Sequence, residues 1–438
     1  MTSSQRSAGA GFASVGRVLR AVRHGWYALV PALATLALGV WGIGATGPWF
    51  DERFTMMALT DGLFVKLYDT PLVPYYGLMW VWSFGGNLVD IGWLRFFSVV
   101  TLALGSAAVA VTARRMESVL AGFSAGMLVA IVPGLARYGQ EARTYALAAF
   151  LVALATLMLV NVMSGGRRVG WVGYGVAMGL AGVVLPISFA AIPAHAVILM
   201  GFPDWRRSAR DWLAACLFLL PVLAIEFLIG LAGGGGRDWL AVPGIADLPA
   251  GISLLASSEY TASFGVLLAV VAALSRVGLR WLGGLGLSVL SIWVVSVTMG
   301  SWWTARSFIP LTGILCVAAG LSLARTDWVR ALVVLAILAV VSFPDHRAIR
   351  EPGSRGVEPA EVAALVDQYA QSGDVLRQLP TSGLLQWSVA HYLPGDPRGF
   401  TSSSDPASGR YWEMSDVASC PEFQEWSVTG GGRLRLCS

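Results

Sequence analysis

Residues 145–163 read YALAAFLVALATLMLVNVM, an uncharged and almost wholly apolar run. About 20 apolar residues are enough to cross the hydrocarbon core of a bilayer as a helix. Similar runs recur from Trp26 to Phe343, separated by short segments that carry Arg or Asp. The sequence therefore predicts an all-α polytopic membrane protein.

The composition agrees with a membrane solvent. Of the 438 residues, 56% are hydrophobic and 13% are charged, whereas about one-quarter of the residues of a soluble domain are charged. The first apolar run, 27–45, follows Arg17, Arg20 and Arg23, as the core of a cleavable signal peptide would. Its length favours a retained anchor instead.

About eleven spanning helices fit between residues 26 and 343. We predict them near 26–45, 94–112, 119–136, 145–163, 170–186, 190–203, 212–231, 262–275, 282–300, 306–323 and 329–343. The chain then consists of an N-terminal segment 1–25, a transmembrane domain 26–343 with a large first outer loop 46–93, and a C-terminal domain 344–438.

Arginines collect in alternate loops, which is the pattern of cytoplasmic loops. They are Arg6, Arg17, Arg20, Arg23, Arg114, Arg115, Arg167, Arg168, Arg206, Arg207, Arg210, Arg276, Arg280, Arg325 and Arg330. We therefore expect a plasma (inner) membrane protein with a cytoplasmic N-terminus and an extracytoplasmic C-terminus. The opposite loops 46–93, 137–144, 232–261 and 301–305 are rich in acidic residues, so any active-site chemistry is expected on the outer face.

The tail is polar and predicts a small extracytoplasmic α/β domain. A helical pattern covers 358–369, a short strand 374–378 and a second helix 383–392, and residues 433–436 alternate Arg and Leu. Cys420 and Cys437 lie in this tail. They are expected to form a disulfide if the tail faces an oxidising compartment.

Two adjacent carboxylates follow the first predicted span. Residues 47–55 read GPWFDERFT and contain Asp51 and Glu52 between aromatic residues. A carboxylate just outside the bilayer can take the proton of an acceptor hydroxyl as it attacks a sugar, an effect worth about 10² to 10⁴-fold in rate. The alternative is a solvated acidic pair near the lipid headgroups.

Three further segments carry a family resemblance. They are DTPLVPYYGLMW at 69–80, LRF at 94–96 and RYGQEARTYAL at 137–147. In this order they resemble the GT-C fold glycosyltransferases that use polyprenyl-phosphate sugars, notably actinobacterial relatives of the protein O-mannosyltransferases and of the lipid A aminoarabinose transferase. The resemblance implies that Asp51 is the catalytic base, with Glu52 beside it. Many relatives have a histidine at the place of 70–74, where this chain has none, so we expect the segment with Tyr75 and Tyr76 to pack around the cavity.

A later segment, WWTARSFIP at 302–310, resembles the motif at the outer start of a late GT-C helix. That resemblance implies that Arg306 contacts the donor phosphate, and we expect Trp303 to line the cavity. Guanidinium forks also suit phosphate oxygens geometrically. The alternative is an interfacial arginine that reaches toward the headgroups.

Other charged residues fall near the same face. Arg137 and Glu141 can pair at a spacing of four if a helix begins near Arg137, or Arg137 and Arg143 can bind phosphate. Glu226 lies inside the predicted span 212–231, where a charge is costly unless it faces a cavity. We expect Glu226 to line the cavity, unless the span ends earlier and Glu226 is interfacial, and we expect Glu141 to line it as well.

The predicted function is a membrane glycosyltransferase with a lipid-linked donor. No nucleotide-binding βαβ pattern, cofactor motif or metal-ligand spacing occurs in the sequence, and no nucleic-acid partner is expected. We expect an inverting transfer of mannose, or next arabinofuranose, to a cell-envelope glycan, glycolipid or protein. The alternatives are a flippase or transporter of lipid-linked sugars and a non-catalytic cell-envelope scaffold.

Overall fold

The computed structural model describes most of the chain. The described residues are 25–60, 72–217, 219–224, 240–258, 263–371, 374–376, 389, 392–393, 411–414, 423–429 and 432–437. They divide into two compact units, each described by itself. The first takes its residues from Met1–Trp41, Tyr68–Tyr75 and Phe97–Asp345, and the second from Gly42–Leu67, Tyr76–Phe96 and His346–Ser438.

Helices make up most of the described chain. In order they are α1 (Gly25–Val40), α2 (Phe50–Thr60), α3 (Val73–Trp82), α4 (Ile91–Met116), α5 (Val119–Ile131), α6 (Pro133–Gly139), α7 (Tyr145–Met163), α8 (Gly170–Val184), α9 (Ala191–Leu199), α10 (Trp205–Leu217), α11 (Ala250–Leu254), α12 (Ser263–Ala273), α13 (Arg276–Thr298), α14 (Ala305–Leu323), α15 (Trp328–Ala348) and α16 (Pro359–Tyr369). Short 3₁₀ turns lie at Pro186–Ala190 and Ile245–Asp247.

Five of the described helices, α4, α7, α13, α14 and α15, are long and apolar enough to cross a membrane. Helices α5 and α6 form a bent pair, and α1, α8, α9 with its preceding turn, and α12 are shorter apolar helices. These elements coincide with the predicted spans, so the prediction of a helical membrane domain is confirmed. The total of eleven spans stays a prediction, since 225–231 of the span at 212–231 lies outside the described residues.

The predicted span at 119–136 is not one straight helix. It bends by 61° between α5 and α6. Pro133 is the first residue of α6 and has no N–H to donate to the preceding turn, and Val132 before it is extended (φ −63°, ψ 118°). The Gly134 N–H instead donates to the Ala256 carbonyl at 3.1 Å. The bend therefore sets the direction of α6, which carries Arg137 in its last turn.

The core of the first unit is α14, which packs against α5, α7, α12 and α13 and is almost fully buried. Small residues bring these helices close together, as at Gly320 of α14 beside Ala125 of α5. His195 is also buried here, hydrogen-bonded to the hydroxyls of Thr156 (2.9 Å) and Tyr174 (3.1 Å). It is a hydrogen-bonded interior residue, as expected of a histidine among apolar helices.

The second unit contains α2, most of α3 and the C-terminal domain. The described strands β1 (Val375–Leu376), β2 (Tyr411–Met414), β3 (Phe423–Val428) and β4 (Gly432–Cys437) form a sheet of order β1-β2-β4-β3. The β1 and β2 strands are parallel, and the other pairs are antiparallel, with Trp412 opposite Leu436. Helix α16 covers one face, where Val362 and Val366 pack around the buried Trp412.

Most of the sequence prediction for the tail is confirmed. The helix at 358–369 is α16, the strand at 374–378 contains β1, and the Arg-Leu alternation at 433–436 lies in β4. The predicted helix at 383–392 lies largely outside the described residues. The extracytoplasmic position of the tail stays a prediction.

Candidate active site

Glu52 is the centre of a buried polar cluster in the second unit. It lies in the first turn of α2 with no exposed side-chain surface. Arg95, in the second turn of α4, binds both of its oxygens, with Nε to Oε1 at 2.8 Å and Nη2 to Oε2 at 2.7 Å. Arg95 is itself 1% exposed. This bidentate geometry is the most directional pairing of an arginine with a carboxylate.

Arg95 also fixes the chain just before α2. We call residues 43–49 the strap. The Arg95 guanidinium donates to the carbonyls of Ile43 (2.9 Å), Thr46 (2.8 Å) and Gly47 (2.8 Å). Glu52 accepts from the Trp49 N–H at 3.1 Å. The buried Glu52–Arg95 ion pair therefore holds the strap by hydrogen bonds to the backbone of the strap.

Asp51 has a different environment from Glu52. It is half-buried in the first turn of α2, two residues after the strap ends at Trp49. Asp51 is thus a partly exposed residue, whereas Arg95 binds both oxygens of the buried Glu52.

Two residues connect the strap to the start of the C-terminal domain. Arg53 donates from Nε to the Pro48 carbonyl (3.0 Å) and from Nη2 to the Val357 carbonyl (3.2 Å). Glu358 accepts from the N–H groups of Gly47 (2.6 Å) and Gly353 (3.0 Å).

The electrostatics of this cluster follow from burial. Burial lowers the pKa of the Arg53 guanidinium to about 10, against the opposing effects of Tyr392, Glu358 and Glu52. Arg53 is therefore still a cation at neutral pH. Burial also raises the pKa of the Tyr392 phenol, while the charge of Arg95 acts in the opposite direction.

The first unit contains the second group of predicted site residues. Arg137 lies in the last turn of α6 and pairs with Glu141 (Nε to Oε1, 3.5 Å), and both are buried. The helix ends at Gly139 rather than beginning near Arg137, so this pair forms across a helix end. Arg143 follows in the same turn and is 7% exposed. The Ser98 hydroxyl donates to the Glu141 carbonyl, which ties the turn to α4.

Arg306 lies in the same unit as this turn. It is the second residue of α14 and is half-buried. Its Nη1 lies 3.5 Å from the hydroxyl of Tyr145, the first residue of α7. Tyr145 in turn makes an edge-to-face contact with Tyr138 (centroids 5.4 Å apart). The structure thus brings Arg306 and the turn 137–145 together through Tyr145.

The remaining predicted residues fall in several places. Tyr75 and Tyr76 are buried in α3, and Tyr75 packs edge-on against Phe97. Trp303 is half-buried and packs against Phe308 (5.2 Å). Cys437 is disulfide-bonded, whereas Cys420 and Glu226 lie outside the described residues. Among the described residues, no group of His, Cys, Asp or Glu could hold a metal ion.

Sequence reasoning missed the roles of Arg95, Arg53 and Glu358. Arg95 had a usable signal, because a lone charge in the first turns of an apolar span needs a partner. Arg53 and Glu358 had none, since each binds main-chain groups, of which the Val357 carbonyl and the Gly47 N–H are far away in the sequence.

The fold is that of the GT-C glycosyltransferases, as the resemblance predicted, and the chain is a membrane protein. ArnT from Cupriavidus metallidurans bound to undecaprenyl phosphate matches with a TM-score of 0.56 and 13% identity, over 94% of this chain and 98% of that chain. Its apo state matches with a TM-score of 0.57 and 13% identity, over 95% and 98%.

A more distant solved structure shares the fold. The Archaeoglobus fulgidus oligosaccharyltransferase tethered with an acceptor peptide matches with a TM-score of 0.50 and 14% identity. The match covers 84% of this chain and 63% of that chain. No protein-family model and no curated protein sequence matches the chain. Identities this low establish the fold alone.

Proposed function

We propose that the chain is a glycosyltransferase that moves a sugar from a polyprenyl-phosphate donor to a cell-envelope glycan, glycolipid or protein on the outer membrane face. The fold supports this, since it is shared with ArnT bound to undecaprenyl phosphate and with an oligosaccharyltransferase tethered to an acceptor peptide. The observation that carries the proposal is the half-buried Asp51, which lies two residues after a strap fixed by the buried Glu52–Arg95 pair.

In the proposed mechanism Asp51 is the general base. The acceptor oxygen attacks the anomeric carbon, the bond from that carbon to the phosphate oxygen breaks, and the polyprenyl phosphate leaves with the bonding electrons. The acceptor proton goes to Asp51, and the configuration at the anomeric carbon is inverted. Glu52 is proposed as a positioning residue instead, because Arg95 binds both of its oxygens.

Arg306 is the proposed ligand of the donor phosphate, with Arg143 and Arg137 as further candidates. Arg306 lies in the first turn of α14, where backbone N–H groups already favour an anion. Arg137 ranks last because the Glu141 carboxylate already compensates its charge. This assignment concerns the first unit alone.

Mannose is the first choice of sugar and arabinofuranose the second, on the resemblance to the actinobacterial transferases. The test uses purified full-length protein in proteoliposomes with labelled polyprenyl-phosphate mannose and, separately, polyprenyl-phosphate arabinofuranose. Acceptors are envelope glycan, glycolipid and peptide fractions.

The expected result is a labelled acceptor with release of an equal amount of polyprenyl phosphate. Movement of the intact donor across the bilayer without cleavage would indicate a flippase. Neither cleavage nor movement, with the chain retained in an envelope complex, would indicate a scaffold.

A further inference from the structure

Gly47 is held on both sides of its backbone by charged side chains. Its carbonyl accepts from Arg95 at 2.8 Å, and its N–H donates to the carboxylate of Glu358 at 2.6 Å. The second contact joins residues 311 positions apart. It therefore connects the strap directly to the first residues of the C-terminal domain.

Glu358 does not act as an ordinary helix cap. It occupies the N-cap position of α16, yet its side chain makes no capping hydrogen bond to that helix. Its two oxygens accept instead from Gly47 and from Gly353. A carboxylate at this position usually binds the free N–H groups of its own helix. Here it bonds the N–H of a strap residue instead.

The close approach depends on glycine at position 47. A Cβ there would collide with the Glu358 carboxylate and lie 3.0 Å from Cδ of Pro359. A side chain at this position would displace either the Glu358 carboxylate or the strap, and either movement would break the hydrogen bond between them. Glycine at position 47 therefore allows the strap to approach Glu358 and Pro359 closely at the start of α16.

Arg53 makes a second connection between the same segments. It lies on α2 two residues after Asp51 and is 6% exposed. Its guanidinium joins the Pro48 carbonyl of the strap to the Val357 carbonyl that precedes Glu358. The buried Arg53 side chain thus connects the helix that carries Asp51 to the start of the C-terminal domain.

We propose that Glu358 and Arg53 are positioning residues, through which the C-terminal domain holds the strap and thereby sets the place of the Asp51 carboxylate. The effect on catalysis rests on the proposed function. The effect on the position of the strap rests only on the contacts within the second unit. Displacement of a catalytic group by about 1 Å can cost roughly 100-fold in rate. Loss of either contact should therefore lower kcat while the donor KM stays near that of the unaltered protein.

The test compares Glu358→Ala, Glu358→Gln and Arg53→Met in full-length protein. Glutamine keeps one acceptor oxygen, so the effect of Glu358→Gln should lie between those of Glu358→Ala and the unaltered chain. The matched control is Glu361→Gln, because Glu361 lies in the same first turn but accepts from the exposed Thr429 N–H instead of from the strap. Glu358→Gln also serves if Glu358→Ala does not fold.

The first measurement is amide hydrogen exchange in residues 46–52, which needs no substrate. Glu358→Ala should speed exchange at Gly47 by roughly tenfold or more, since a charge-assisted hydrogen bond is lost. Glu361→Gln should leave it unchanged. Unchanged exchange at Gly47 in Glu358→Ala would overturn the proposal.

The second measurement is sugar transfer from the donor that the unaltered chain uses. Glu358→Ala and Arg53→Met should lower kcat by about 10- to 100-fold with the donor KM within about twofold. Faster exchange with an unchanged kcat would also overturn the proposal. Absence of transfer by the unaltered chain would contradict the proposed function instead, and the exchange result would then decide the structural part.

Discussion

Asp51 and Glu52 are adjacent in the sequence but differ in what surrounds them. Glu52 is fully buried against Arg95, whereas Asp51 is half-buried at the surface of α2. Adjacent carboxylates in unlike environments can take unlike roles. The sequence identified the pair but not this division, because it depends on Arg95, 43 residues further along the chain.

The buried ion pair with Arg95 makes Glu52 important for the stability of the folded protein. Glu52→Ala leaves the Arg95 guanidinium buried without its carboxylate, and breaking such a pair costs about 3–5 kcal/mol. The free energy of unfolding in detergent should fall by that amount. Asp51→Asn is the control and should change it by less than about 1 kcal/mol. Equal stability of Glu52→Ala and the unaltered protein would contradict this reading of the pair.

Arg306 is predicted to act on the donor. Arg306→Ala should raise the donor KM by roughly 10- to 100-fold, because one charge-assisted hydrogen bond is worth about 1.5–3 kcal/mol. Arg306→Lys should recover part of this effect, since it keeps the charge but loses the fork. The control is Arg330→Ala, which removes an exposed arginine paired with Asp327. An unchanged donor KM with a lowered unfolding temperature would make Arg306 an interfacial anchor.

At the scale of elements, helices α5 and α14 approach each other closely where they cross at Gly320. A Cβ at Gly320 would lie 2.6 Å from Cβ of Ala125 and 2.9 Å from the Ala121 carbonyl oxygen. Gly320→Leu should therefore force the helices apart and destabilise the protein by about 1–3 kcal/mol or more. Thermal unfolding in detergent measures the effect.

The control for Gly320 lies on α13. A Cβ at Gly286 would meet nothing within 4 Å, so Gly286→Leu should leave the unfolding temperature nearly unchanged. Equal unfolding temperatures for the two variants would contradict the close crossing.

The sequence predicted elements well where composition alone decides them. The run 145–163 forms α7 with the same bounds, because an uncharged apolar run of that length satisfies its backbone only as a helix. The bend between α5 and α6 was missed although Pro133 signalled it. Prolines inside apolar spans are tolerated when a neighbour takes up the freed backbone groups, and the contact with Ala256 is not visible in the sequence.

At the scale of the whole molecule, the second unit joins segments that are far apart in the chain. The contact between Gly47 and Glu358 has no local pattern that announces it. Hydrophobic periodicity predicts which residues form α16, but not which backbone Glu358 will bind. Which segments of the chain form this unit could therefore not be predicted from the sequence, whereas the helical membrane fold could.

The tail is predicted to be closed by a disulfide. Cys437 at the end of β4 is disulfide-bonded, and Cys216 and Cys316 are free thiols. We expect Cys420 as the partner. A closed loop of about 15 residues stabilises by about 3 kcal/mol on the chain-entropy model. Peptide mapping of non-reduced protein from the native membrane should find Cys437 linked to Cys420, and free thiols at both positions would contradict the extracytoplasmic placement of the tail.

The measurement closest to the central claim is the transfer rate of Asp51→Asn in purified full-length protein with the donor that the unaltered chain uses. Asparagine keeps the shape of the side chain but cannot take a proton. The rate should fall by about 10² to 10⁴-fold, while donor binding stays within about twofold and Glu361→Gln transfers normally. A rate for Asp51→Asn within a few-fold of the unaltered protein would show that Asp51 is not the base.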